Sequence, residues 1–386
     1  MKKNVTLPTG LLKAGRLVLL AGVAAALAGP LASCSKSSSD SATPEVGLVK
    51  PTGPKPSYAP TINDQMLAVL EQFVAFNDPP LLGLTARQAR MNHSFTDALD
   101  ATLAKNNRAA PAAAVTISQR ILPPAFTPGS APDGIPVRTY TPTAAATGAR
   151  PGIVYVHGGG WVIGSLSVYE PSAKALAERT GAVVVSVDYR LATETMNKFP
   201  AAHEDAYAAY KWVRENAAAI GINPAKIAVA GESAGGNMAA GICLLSKERS
   251  LALPVHALMV YPVANNDLNT ASYQAYEKAK PLSKDDVLFY VSKYLRTAAD
   301  GDDRLISLVD VADLKGLPPT TIIGAEIDPL ATEGKLLADQ LTKAGVPVVY
   351  QLYPGTTHEF FGTYAVVPLA NDAMNLAVTR LKAAFQ

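Results

Sequence analysis

Continuous apolar runs dominate the chain from residue 115 onward. Residues 137–140, 153–156, 183–187, 227–230, 256–261, 320–323 and 348–352 are short segments rich in Val, Ile and Tyr. Stretches of helix formers separate them. Runs of this length predict strands covered on both faces, as in a mostly parallel sheet. Their alternation with helical stretches predicts a doubly wound α/β sheet, with functional residues on loops at the carboxyl ends of the strands. Ahead of the sheet, residues 62–76 place Met66, Leu67, Leu70, Phe73 and Val74 at helical spacing. A second helix is predicted over 85–106, opened by Thr85 as N-cap, and a helical insertion over 272–297 contains Ser283 as a further N-cap.

The first sixty residues follow a different pattern. Lys2, Lys3, Lys13 and Arg16 precede an uncharged apolar stretch over 17–33, which predicts a secretory signal peptide over 1–33. The stretch is short for a membrane span and contains Gly22, Gly29 and Pro30. Its end, Leu31-Ala32-Ser33-Cys34, resembles a bacterial lipobox, which implies cleavage before Cys34 and a lipid on that cysteine. Residues 34–60 are Ser- and Pro-rich and predict a flexible tether, with ordered structure from Thr61 to the C-terminus. Cys243 is then the one other cysteine, expected as a small buried apolar residue, and no intramolecular disulfide is expected.

With 48% hydrophobic and 17% charged residues and a net charge of +2, the 386-residue chain carries no basic stripe. Nucleic acid and polyanions are excluded as expected partners. Neither metal-ligand spacing nor a phosphate-loop motif occurs, so no metal and no cofactor are expected.

Four features carry candidate chemistry. Gly231-Glu232-Ser233-Ala234-Gly235 lies between an apolar strand and a helical stretch, the setting of a nucleophile elbow, where glycines let strand and helix approach around a strained serine. His157-Gly158-Gly159-Gly160-Trp161 follows the run 153–156 and exposes backbone amides that suit an oxyanion. The expected donors are the amides of Gly158, Gly159 and Ala234. His358 follows the last strand, where a hydrolase of this architecture needs its base. His157 suits a structural role beside the glycines, His203 a surface or packing role, and His93 and His256 have no chemistry around them. For an acid to orient the base, Asp328 ends the strand at 320–323, with Glu326 and Glu333 as competitors that spacing alone does not dismiss.

These blocks, with Asp188-Tyr189-Arg190-Leu191-Ala192 and Phe199-Pro200-Ala201-Ala202, resemble the hormone-sensitive-lipase family of α/β-hydrolases, the family IV esterases, in a bacterial member. The resemblance covers roughly residue 61 to the C-terminus. It implies an α/β-hydrolase fold with a helical cap from about 61–110 and about 266–300. It makes Ser233 the nucleophile, Asp328 the acid and His358 the base of a serine carboxylesterase acting on short- to medium-chain acyl esters. Glu232 stands where the family usually has Asp, Ala331-Thr332-Glu333 replaces a longer acidic tract, and residues 192–199 lack a usual proline. The alternatives are an arylformamide hydrolase and a non-catalytic ligand receptor on the same fold. The expected partners are a small ester and, through the Cys34 lipid, a membrane. If the host is Gram-negative, the absence of aspartate after Cys34 favours the outer membrane; which membrane receives it and the oligomeric state are left open.

Overall fold

The computed structural model describes residues 48–386. The expected signal peptide, Cys34 and the tether up to residue 47 lie outside the described residues. Three helices come first: α1 (Asp64–Ala75), α2 (Ala86–Ala89) and α3 (Phe95–Lys105). The helix expected over 85–106 is therefore two. Thr85 does cap α2, closing a capping box with Gln88, but Ser94 builds a second capping box with Asp97 and starts a new helix. Between them Asp78 accepts from the His93 backbone at 2.6 Å and draws residues 91–94 out of helical geometry.

From β1 (Val115–Leu122) and β2 (Ile135–Pro142) the chain enters the sheet. It continues through β3 (Arg150–Val156), α4 (Glu170–Thr180), β4 (Val183–Val187), α5 (Ala201–Glu215), β5 (Ile222–Glu232), α6 (Ala234–Glu248) and β6 (Ala257–Val260). An excursion through α7 (Ala271–Ala275) and α8 (Lys284–Tyr294) precedes β7 (Thr320–Ile327), α9 (Ala331–Lys343), β8 (Val348–Thr357) and α10 (Pro368–Ala384). The strand order is β1-β2-β4-β3-β5-β6-β7-β8. β2 runs antiparallel to β1 and β4, and the remaining pairs are parallel.

Apolar runs become strands here because both faces are covered. In β3, Val154 and Val156 pack with α5, α6 and α9 residues such as Val213, Met238 and Leu337. Their neighbours Ile153 and Tyr155 pack on the other face with Leu176 of α4 and Met374 of α10. Each such aliphatic side chain contributes about 1.5–3 kcal/mol of burial. Strand β1, absent from the expected set, is the antiparallel edge, with Ile117 46% and Ile121 68% exposed; its pattern therefore lacks the apolar run of a core strand.

Packing also begins earlier than Thr61. Val49 and Ala59 are buried in the same cluster as α1, the Gln65 amide donates to the Val49 carbonyl at 3.1 Å, and Glu71 accepts from the Thr52 and Gly53 amides. Residues 48–60 are thus docked rather than a free tether. Their proline-rich composition makes no periodic pattern, but single apolar side chains and backbone amides suffice to hold them.

Candidate active site

The turn from β5 into α6 puts Ser233 at φ 56°, ψ −120°. A non-glycine residue in such a region stores about 1–3 kcal/mol and persists only where its surroundings dictate it. Here the Ser233 amide donates to the Val260 carbonyl of β6 at 2.9 Å, which ties the turn to the sheet. A Cβ at Gly231 would run into the Gly235 carbonyl, and one at Gly235 into the Val156 carbonyl of β3, so both flanking positions require glycine. Ala234 opens α6, and its amide is among the unpaired donors at a helix N-terminus, where the positive end of the helix dipole lies.

Beyond β3 the glycine loop closes on itself, Val162 and Ile163 donating to the Gly159 carbonyl at 3.0 and 2.9 Å. Gly160 sits against the Tyr290 ring of α8. His157 braces this loop. Its Nδ1 lies 2.8 Å from the Gly158 carbonyl, which has no proton to give, so Nδ1 is the donor. Tyr189 stacks on the imidazole and donates to the His157 and Gly158 carbonyls. Burial pushes the His157 pKa down to about 4, so the ring is neutral.

At the end of β7, Asp328 is fully buried. One of its oxygens accepts from the Leu330 amide at 2.9 Å and the other from His358 Nδ1 at 2.7 Å. With Nδ1 committed, Nε2 is the nitrogen left to the cavity that His358 and Ser233 both line. Burial opposes charge on His358, but Asp328, then Glu359 and Glu232, outweigh it and raise its pKa above the ordinary value.

The competing residues are elsewhere. Glu326 accepts from the Gly355 amide at 2.6 Å and fills a register shift between β7 and β8. Glu333 is buried under the loop after β6, accepting from the Ala264 and Asn265 amides, and burial raises its pKa well above the carboxylate range. His203 is buried between Tyr294 and Asn237, and His256 meets Thr321 in the core. His93, expected to be bland, pairs with Asp78 and lines the same cavity as Ser233. Cys243 is buried and free.

That cavity is about 560 Å³ and is walled by residues 73–95, the glycine loop, and Lys280 to Tyr290. A second recess of about 70 Å³ also opens at Ser233, lined by apolar residues including Val263, Leu268, Val287 and Leu330, and His358 is not among its walls. Two further carboxylates stand at the site with contacts that the sequence does not foretell. Glu232, under the elbow, accepts from the Tyr155 and Tyr261 hydroxyls. Glu359 accepts from Tyr169 at 2.5 Å. The signal for the latter was a charged residue between His358 and the apolar pair Phe360-Phe361.

A family model described as alpha/beta hydrolase fold matches residues 153–362. Carboxylesterase NlhH of Mycobacterium tuberculosis is 39% identical over 253 residues, 65% of this chain and 78% of that protein. An ethyl acetate hydrolase of Pseudomonas putida is 33% identical over 252 residues, 64% of this chain and 78% of its own length. A thermostable esterase from Pseudomonas putida ECU1011 superposes with a TM-score of 0.75 at 30% identity, covering 85% of this chain and 98% of the esterase. The chain belongs to the hormone-sensitive-lipase-like, family IV branch of the α/β-hydrolases and is a carboxylic ester hydrolase.

Proposed function

We propose that this enzyme hydrolyses esters of short acyl groups through a Ser233–Asp328–His358 triad and a covalent acyl-enzyme. The observation that carries the reading is the 2.7 Å pair of Asp328 and His358 on the cavity that Ser233 enters. His358 Nε2 takes the Ser233 proton as Oγ attacks the ester carbonyl carbon. The amides of Gly158, Gly159 and Ala234 receive the oxyanion. His358 then returns the proton to the departing alkoxide. Water, deprotonated by the same nitrogen, attacks the acyl carbon, and collapse frees the acid and restores the Ser233 hydroxyl.

Proton return places the alcohol on the side that His358 occupies, which is the larger cavity. The acyl chain is left with the apolar recess of about 70 Å³, room for roughly two or three groups of water size. Short acyl chains on bulkier alcohols are the class that fits, and a relative named for ethyl acetate hydrolysis is consistent with a small acyl group. A series of aryl esters from acetate to dodecanoate, with one arylformamide included, tests this. Best kcat/KM at four carbons or fewer is expected. Preference for long-chain emulsions, or for the amide, would overturn it.

A further inference from the structure

Glu359 directly follows the base and is held at φ 65°, the left-handed region that a glycine would occupy without strain. What keeps a glutamate there is its side chain. The carboxylate accepts from the Tyr169 hydroxyl at 2.5 Å and lines the Ser233 cavity. Tyr169 in turn presses on the oxyanion loop: a Cβ on Gly158 would run into its hydroxyl, and its ring lies 5.8 Å from that of His157. One hydrogen bond therefore joins the loop that carries the base to the loop that carries the oxyanion donors.

Resting on the triad reading above, we propose that Glu359 is a positioning residue, clamping the histidine loop to the glycine loop through Tyr169 and holding negative charge beside the His358 imidazole. Burial, with Glu232 adding repulsion, pushes the Glu359 pKa up to about 7, while His358 and the Tyr169 bond pull it down. The carboxyl thus titrates in the working range of a histidine base, and the two groups titrate as a pair. The other carboxyls facing them are Asp328 and Glu232. The phenols of Tyr155, Tyr169, Tyr189, Tyr261 and Tyr290 are raised by burial and stay neutral. Of the charged groups elsewhere on the cavity wall, Asp78 is engaged with His93, Asp286 with Ser283, and Arg90 with the Val162 and Ala192 carbonyls, which leaves Lys280.

Three variants separate clamp from charge. Glu359→Gln keeps an acceptor for Tyr169 and removes the charge. Glu359→Gly removes both and relieves the left-handed backbone, so its fold is not at risk from strain. Tyr169→Phe removes the bond alone. The acid limb of kcat/KM should move to lower pH in the Gln and Gly variants, because His358 loses a charge that favours the imidazolium. The kcat should fall roughly ten- to hundredfold in the Gly and Phe variants with little change in KM. An acid limb that stays in place in both Glu359 variants would overturn the proposal, as would full kcat in the Gly and Phe variants. Ser233→Ala and Asp328→Asn, assayed alongside, distinguish failures: if they retain turnover, the triad reading itself falls.

Discussion

Burial alone would hold the His358 imidazole neutral well into the acid range, but Asp328, Glu359 and Glu232 reverse the balance and raise its pKa. The working form of a general base is the neutral one, so activity is present above this pKa and lost as pH falls through it. The kcat/KM profile of a non-ionising ester should therefore have its acid limb above 6.5, the ordinary histidine value. A limb below that would contradict the charge balance. Asp328→Asn should lower kcat by on the order of 10⁴, since the imidazole loses the partner that fixes its tautomer, and Glu326→Gln should keep most activity. The reverse ranking would mean that Glu326, not Asp328, orients the base. Sequence spacing separates these two poorly for a physical reason. Glu326 and Asp328 share one strand parity, and only the register shift against β8 gives Glu326 the Gly355 amide and leaves Asp328 to His358. The placement of Ser233 at a strand–helix turn and of His358 after the last strand was legible because both are local features. Glu359 was not, because its partner Tyr169 is 190 residues away in sequence.

Among the elements, α8 supplies one wall of the cavity, through Asp286 and Tyr290. Its Tyr290 ring packs on Gly160 of the glycine loop, and the helix opens with a reciprocal cap between Ser283 and Asp286. Ser283→Ala should cost about 1 kcal/mol of stability by removing that cap, readable in chemical denaturation. It should also weaken binding of esters with bulky alcohols as the wall loosens. Unchanged stability would mean that tertiary packing alone fixes the helix. The cap at Ser283 and the buried strands could be read from the chain because their signals lie within a few residues. The break between α2 and α3 could not, since it depends on Asp78 reaching His93 across fifteen positions. Strand β5 likewise begins at Ile222, ahead of the expected 227, because it extends by pairing with Arg150 through a register shift that only the sheet reveals.

For the whole molecule, the sheet order puts Ser233 after β5, the glycine loop after β3, Asp328 after β7 and His358 after β8 at one carboxyl edge. This convergence follows from a parallel sheet once its strands are known. The docking of Val49 and Ala59 does not, because it depends on a surface that forms only when α1 has packed. We also propose, from residues 1–47 alone, that the chain is exported and carries lipid on Cys34. Cys34→Ala should abolish acyl mass and membrane retention while kcat is unchanged; a wild-type N-terminus at Met1 would contradict that proposal. In the proposed mechanism, ester hydrolysis passes through a covalent intermediate on Ser233. The most direct test is to quench turnover of an aryl acetate in acid and map the peptides by mass. One acetyl group is expected on the peptide bearing Ser233, absent from Ser233→Ala, which is itself slowed on the order of 10³- to 10⁶-fold. An enzyme that turns over at full rate with no acyl group on Ser233, or a Ser233→Ala variant near wild-type activity, would contradict it.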